Sequence, residues 1–114
     1  IGGYNGKEAS KRIDVMDLVS GKWTHLGNMP YGFSSHVTAV QGKKIWIVGN
    51  YNLEDTQLAY FNTETNDFVT VNSNLKPRRH ANAEIINNKL YVFSGATTSS
   101  SASAIKTMQV ANLK

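Results

Sequence analysis

The chain has no cysteine among its 114 residues, which excludes disulfide bonds, thiolate catalysis and cysteine-held zinc or iron–sulfur sites. Long hydrophobic runs are also missing. The longest have four residues, as in Ile45–Val48, whereas a transmembrane helix needs about 18. The excess of positive over negative charge is also small. The chain has 12 Lys and Arg against 8 Asp and Glu, a net charge of +4, with one basic cluster at Arg78–His80. Nucleic-acid binders concentrate their positive charge more strongly, so we expect neither nucleic acid nor a membrane as a partner.

Motifs for catalysis are equally sparse. The sequence has no Gly-x-Ser-x-Gly, no phosphate-binding glycine loop and no His-x-x-x-His. Its three histidines, His25, His36 and His80, have no carboxylate cluster beside them, and Glu54-Asp55 is the one close acidic pair. Surface or packing roles are the simplest interpretation of all five residues. We therefore expect a protein that is not an enzyme, with no catalytic residues, no metal site and no cofactor.

What the chain does have is the composition of a globular protein, with 40% apolar and 18% charged residues. It also has an internal repeat. Lys43–Asn50 reads KKIWIVGN and Lys89–Gly95 reads KLYVFSG, so each residue from Lys44 to Asn50 aligns with one 45 positions later. The same offset relates Met16-Asp17 to Phe61-Asn62 and Trp23 to Phe68. One spacing held at several separate anchors indicates a true repeat.

The repeated segments are rich in β-branched and aromatic residues, which predicts strands. The predicted strands are Arg12–Leu18, Val37–Val40, Lys44–Val48, Gln57–Phe61, Phe68–Val71, Ala83–Ile86 and Lys89–Phe93. Helix propensity competes over Glu8–Leu18, but the repeat partner of Arg12–Leu18 is a clear strand, and tertiary context overrides propensity. The polar, low-complexity stretch Ala96–Ser103 predicts a loop.

Short strands repeating about every 45 residues are typical of a β-propeller blade. A double glycine, then a Tyr-Asp-like pair, then a Trp seven residues after that Tyr resembles the Kelch family. The matching residues are Gly2-Gly3, Met16-Asp17 and Trp23 in a first copy, Gly49-Asn50, Phe61-Asn62 and Phe68 in a second, and Ser94-Gly95 at the start of a third. The resemblance implies an all-β fold, a Kelch-type β-propeller fragment with four-stranded antiparallel blades.

This resemblance also divides the chain. It predicts the end of one blade at residues 1–27, a complete blade at 34–72 and most of a third blade at 79–114. A closed propeller needs at least about four blades, and the chain starts at Ile1 rather than Met. We expect a fragment of a longer propeller whose remaining blades pack against it. Large aromatic side chains should fill the space between blade faces, namely Trp23, Trp46, Phe68 and Tyr91.

In adaptor-type Kelch proteins, Arg and Ser between blades and Tyr after the double glycine line a peptide pocket. The resemblance therefore assigns partner binding to Tyr4, Ser34, Ser35, Tyr51, Arg78, Arg79 and His80. Arginine forks recognise carboxylates or phosphates, and tyrosines give contact area at low entropic cost. The alternative is that the arginines only bind a neighbouring blade and that the tyrosines only pack their loops.

We interpret the chain as a non-catalytic scaffold that binds another protein through an acidic or phosphorylated peptide. The first hypothesis is substrate recognition for a cullin ubiquitin ligase, as in BTB–Kelch adaptors. An actin-binding or actin-crosslinking Kelch protein is the alternative, and a Kelch-propeller enzyme, such as a sialic-acid mutarotase or galactose-oxidase-like enzyme, is a further one. We expect a cytoplasmic location, since the twelve Asn residues include no glycosylation sequon.

Overall fold

The computed structural model describes residues 1–98 and 103–113, which form strands, turns and loops without an α-helix. The strands in these residues are β1 (Arg12–Met16), β2 (Trp23–Asn28), β3 (Val37–Gln41), β4 (Lys44–Val48), β5 (Leu58–Asn62), β6 (Phe68–Thr70), β7 (Asn82–Ile86), β8 (Lys89–Phe93) and β9 (Met108–Asn112). They form three antiparallel sheets, β1-β2, β3-β4-β5-β6 and β7-β8-β9. In this part of the chain no helix is long and apolar enough to cross a membrane. The predicted all-β class is confirmed, and β1 is a strand as predicted.

The chain divides into two compact units, of which the first spans Ile1–Ser34. This unit contains the β1–β2 hairpin and the loop that precedes it. Main-chain hydrogen bonds hold the loop to the first residue of β1, from Gly2 N to Arg12 O, and the end of the hairpin to the residue before β1, from Met29 N to Lys11 O. Ile13, Met29 and Phe33 are buried, and they are the large apolar side chains that the unit removes from water.

The second unit begins at Ser35 and holds the other two sheets. Their first hairpins repeat residue by residue: Ala39 pairs with Trp46 in one, and Glu84 pairs with Tyr91 at the same register in the other. The third strands of the two sheets, β5 and β9, have the same place in the strand order, but they are not 45 residues apart. Strand β9 begins 50 residues after β5, so the connection before it is five residues longer than the repeat requires.

The repeat also extends to backbone conformation. Left-handed residues recur 45 positions apart at four places: Gly21 and Asn66, Ser35 and His80, Gly42 and Asn87, and Gly49 and Ser94. Non-glycine residues adopt a positive φ rarely, so four coincidences at one offset are far from chance. The repeats therefore share a backbone conformation at these positions, although the residues that adopt it differ.

Apolar side chains pack the two sheets of the second unit against each other. Trp46, Val48 and Leu58 of the first sheet share a cluster with Leu90 and Val92 of the second. The Trp46 indole Nε1 donates a hydrogen bond of 3.1 Å to Gln41 Oε1, and the Gln41 amide donates another to Asn88 Oδ1. The hairpin turns of the two sheets are thus linked above the apolar contact.

The prediction that large aromatic side chains are buried between blade faces is confirmed for the burial of Trp46 and wrong for that of Trp23. Trp46 is 6% exposed, whereas Trp23 is 65% exposed. Trp23 lies on a two-stranded sheet opposite the exposed Met16, and so narrow a sheet cannot cover an indole ring. Phe68 and Tyr91 are half-buried.

Candidate functional site

The site begins where the chain leaves β4 and runs against the connection between β6 and β7. Asn50 N donates a hydrogen bond of 3.1 Å to Arg78 O. Gly49 has a φ of 79°, and a Cβ there would lie 2.7 Å from the same carbonyl oxygen. Only glycine satisfies both conditions without strain, which explains the glycine that the sequence motif places here.

One glutamine organises the loop that starts at Gly49. The Gln57 amide donates hydrogen bonds of 3.1 Å to Asn52 O and Asp55 O. Its Oε1 accepts a hydrogen bond of 3.0 Å from Arg78 N. A single side chain thus shapes the loop and ties it to the connection that carries the two arginines.

Tyr51 and Arg79, which the sequence analysis selected from different loops, are neighbours. The Arg79 guanidinium lies over the Tyr51 ring, 4.1 Å from its centroid. Tyr51 is 50% exposed and Arg79 is half-buried. The Arg79 main chain exchanges hydrogen bonds of 3.0 and 2.9 Å with Ala96, so the loop that follows β8 begins at the same place. Residues 99–102 of the predicted loop Ala96–Ser103 lie outside the described residues.

Arg78 has a different environment, and its assignment to partner binding is corrected here. Its side chain has no exposed surface. The guanidinium donates hydrogen bonds to Lys76 O at 3.1 Å, Ser94 O at 3.3 Å and Gln109 Oε1 at 2.8 Å. Burial among these neutral acceptors lowers the pKa of Arg78. A side chain enclosed in this way cannot reach a partner, and it packs the connection against β9 instead.

The assignment of Ser34 to partner binding is also corrected, because Ser34 is 6% exposed and offers a partner almost no surface. The next residue, Ser35, belongs to the second unit and is half-buried. His80 N donates a hydrogen bond of 2.9 Å to Ser35 O, and both residues have a φ near 54°. His80 is exposed beside Arg79, so it remains a candidate for contact with a partner.

Tyr4 occupies the equivalent place in the first unit. It is 66% exposed, and its bridge to Ala9 closes a short loop. Gly3 N donates a hydrogen bond of 2.8 Å to Phe33 O. Phe33 lies 45 residues before Arg78, so this bond repeats the one from Asn50 N to Arg78 O. The chain therefore presents a tyrosine at the same point of two successive repeats.

Among the described residues, the Tyr51–Arg79 pair takes part in no ion pair. Within residues 1–98 and 103–113 the ion pairs join Asp14 to Arg12 at 2.8 Å and to His25 at 3.2 Å, on the first hairpin. Arg12 there lowers the pKa of Asp14. In the same residues Arg79 has no carboxylate partner, and its buried Nε lacks a hydrogen-bond acceptor. The described residues contain no group of three or more His, Cys, Asp or Glu that could hold a metal ion.

Two residues that matter to this arrangement, Gln57 and Gln109, were not selected from the sequence. Gln109 accepts hydrogen bonds from Arg78 Nη2 and Lys76 N, and it donates to Asn74 O. Neither glutamine belongs to a short motif. The available signal was indirect: a buried arginine without a carboxylate partner requires neutral acceptors, and these can come from residues distant in sequence.

The two sheets of the second unit share an apolar cluster, and left-handed residues recur at one spacing, which is the arrangement expected of neighbouring propeller blades. The family model described as the Kelch motif matches residues 1–30, which include the first copy of the sequence pattern. No curated protein matches the chain. The motif supports a Kelch-repeat family, as the sequence predicted, and the described sheets are consistent with a Kelch β-propeller fragment. Kelch repeats in general form a protein-interaction fold.

Proposed function

We propose that the chain is a non-catalytic protein-binding scaffold and that Tyr51 and Arg79 receive an acidic or phosphorylated segment of its partner. The observation that carries the proposal is the stacked, half-buried guanidinium of Arg79 with no carboxylate beside it in the described residues. A cation of this kind gains most from an anion brought by another molecule.

The stacking prepares Arg79 for that contact. Because the Nε of Arg79 is buried, the partner's carboxylate or phosphate oxygens would accept in-plane hydrogen bonds from the two Nη atoms of the stacked guanidinium. The exposed half of the Tyr51 ring adds apolar contact area, and His80 adds a polar group next to the pair. Aromatic and arginine residues together are typical of the energetically important centre of a protein interface.

The finer role that we propose is substrate recognition for a cullin ubiquitin ligase in the cytoplasm. It rests on the resemblance of the two tyrosine loops and the Arg79 connection to adaptor-type Kelch proteins. Actin binding remains the alternative and carbohydrate chemistry on the propeller a further one. The experiments below separate the three.

The direct test is binding of fluorescent acidic peptides, with and without phosphoserine, measured by anisotropy. We expect Arg79→Ala to weaken binding by about 1.5–3 kcal/mol, roughly 10- to 150-fold, as for a lost hydrogen bond to a charged group. Arg79→Lys should recover only part of the affinity, because a lysine cannot form the planar fork. Added salt should weaken binding. Arg12→Ala is the matched control, since it removes an exposed arginine from the other unit.

The proposal fails if Arg79→Ala leaves peptide affinity unchanged while the fold is intact by circular dichroism. Co-sedimentation with filamentous actin that is insensitive to Arg79→Ala would favour the actin alternative. Mutarotation of sialic acid, or oxidation of galactose after copper loading, would favour an enzyme. Co-purification of a cullin with the full-length protein, retained in Arg79→Ala while the substrate is lost, would support the ligase role.

A further inference from the structure

Asn5 combines a reactive neighbour with an exposed loop. Twelve asparagines occur in the chain, and Asn5 alone precedes a glycine. The second repeat supplies a natural comparison, because Tyr4-Asn5-Gly6 corresponds to Tyr51-Asn52-Leu53. Both asparagines follow the exposed tyrosine of their loop, and they differ in the residue on their carboxyl side.

The loop holds the Asn5 side chain in a defined position. Asn5 Oδ1 accepts hydrogen bonds from Lys7 N at 2.9 Å and Glu8 N at 2.8 Å. These bonds draw electron density from Cγ and make it a better electrophile. Gly6 N donates no hydrogen bond to any of the described residues. Gly6 has a φ of 93°, and no atom outside its chain neighbours lies within 4 Å of the place where a Cβ would be, so the loop is open on that side of Gly6.

We propose that Asn5 is a site of spontaneous deamidation. Gly6 N, after losing its proton to the solvent, attacks Asn5 Cγ, and a new N–Cγ bond forms. The Nδ2 nitrogen takes a proton back from the solvent, the Cγ–Nδ2 bond breaks and ammonia leaves, which gives a five-membered succinimide. Water then adds to one of its two carbonyls and opens the ring to aspartate or isoaspartate. The net change consumes one water, releases one ammonia and involves no oxidation or reduction.

The modification changes the loop in two ways. It places a negative charge next to Tyr4, where Asn5 is neutral. In the isoaspartate product it also lengthens the main chain by one carbon, which disturbs the bridge between Tyr4 and Ala9. The corresponding loop of the second unit keeps its neutral Asn52.

Mass spectrometry of the incubated full-length chain tests this proposal. At mildly alkaline pH and physiological temperature, the tryptic peptide Ile1–Lys7 should gain about 1 Da, as an amide becomes a carboxyl. Conversion at Asn5 should be at least roughly tenfold faster than at Asn52, because leucine crowds the attacking nitrogen and glycine does not. Isoaspartate methyltransferase should label the product. The rate should rise with pH, since the nucleophile is the deprotonated amide.

Two variants provide matched controls. Gly6→Leu should suppress the reaction at Asn5, and Leu53→Gly should create it at Asn52. Equal rates at Asn5 and Asn52 in the unmodified chain would overturn the proposal. So would an intact Asn5 in the folded chain under conditions where the free peptide Ile1–Lys7 converts, because the loop would then protect the amide.

Discussion

At the residue scale, Arg78 and Arg79 are adjacent in sequence and have opposite environments. Arg78 is enclosed and satisfied by three neutral oxygens, while Arg79 leans on an exposed ring. Phe33 stands 45 residues before Arg78 and is also fully buried. This position of the repeat is therefore buried in both copies. The first copy fills it with the aromatic ring of Phe33, and the second fills it with the hydrogen-bonded side chain of Arg78.

This contrast predicts different stabilities for two alanine variants. Arg78→Ala should lower the free energy of unfolding by about 2–4 kcal/mol, because it leaves a cavity and unpaired buried acceptors. Arg78→Met should recover the packing part of that loss and not the hydrogen bonds. Arg79→Ala should change stability by less than about 1 kcal/mol. Urea denaturation measures all three, and equal losses for Arg78→Ala and Arg79→Ala would contradict the assignment.

Asp17 and its repeat partner Asn62 lead to a prediction about how stability depends on pH. Asp17 Oδ1 accepts hydrogen bonds from Ser20 N and Val19 N, each 2.8 Å, and these bonds lower its pKa from 3.8. Because the folded pKa is the lower one, the stabilisation is present above pH 3.8 and is lost as pH falls through the folded value. Asn62, 45 residues later, closes the same turn with a neutral side chain.

Asp17→Asn should therefore reduce the slope of stability against pH below 3.8 and leave the turn formed. Asn62→Asp should add a slope of the same sign at the second turn. Denaturation midpoints across an acid series measure both. An acid slope that Asp17→Asn does not alter would show that the Asp17 carboxyl takes up its proton at the same pH in the folded and unfolded chain.

At the element scale, the hairpin turns show which positions the backbone requires to be left-handed. Gly42 and Asn87 begin the turns of the two equivalent hairpins with φ values of 56° and 50°. A Cβ at Gly42 would meet nothing within 4 Å, whereas a Cβ at Gly49 would meet the Arg78 carbonyl at 2.7 Å. The two glycines share a backbone requirement and differ in their surroundings.

Gly42→Asn should consequently cost less than about 1 kcal/mol, because asparagine tolerates this conformation and the other repeat already uses it. Gly49→Ala should cost about 2–4 kcal/mol, since strain and a backbone contact act together. Thermal melts followed by circular dichroism can rank the two variants. Similar losses of stability in the two variants would mean that the backbone at residue 49 can move away from the Arg78 carbonyl at little cost.

Strands and turns were predictable because they depend on local pattern. The 45-residue offset placed β3, β4, β7 and β8 to within one residue, since aliphatic and aromatic alternation fixes strand position. The resemblance to the Kelch pattern, rather than the offset, selected Tyr51 and Arg79, and the structure places the two side chains in contact. It could not separate Arg78 from Arg79, because burial there depends on Gln109, which lies 31 residues further on and outside any motif. Trp23 has the spacing of the motif and is nevertheless 65% exposed, on a sheet of two strands.

At the scale of the whole molecule, the edges of the sheets govern how the isolated chain behaves. Strand β9 pairs with β8 on one side, and among the described residues no strand pairs with its other side. Its sequence, MQVAN, carries no charge, and Met108 and Val110 are 55% and 51% exposed. Unpaired, uncharged edges of this kind recruit strands from other molecules.

The 114-residue chain expressed alone should therefore self-associate, and its apparent mass in analytical ultracentrifugation should increase with concentration. Val110→Lys places a charge on the exposed edge and should shift the distribution toward monomer with little loss of stability. Lys106→Ala, just outside β9, is the opposing variant, since it removes a charge that flanks the edge and should increase association. A monodisperse monomer with a cooperative melt would show that the packing of the β3–β6 and β7–β9 sheets, through Trp46 and Leu90, is sufficient by itself.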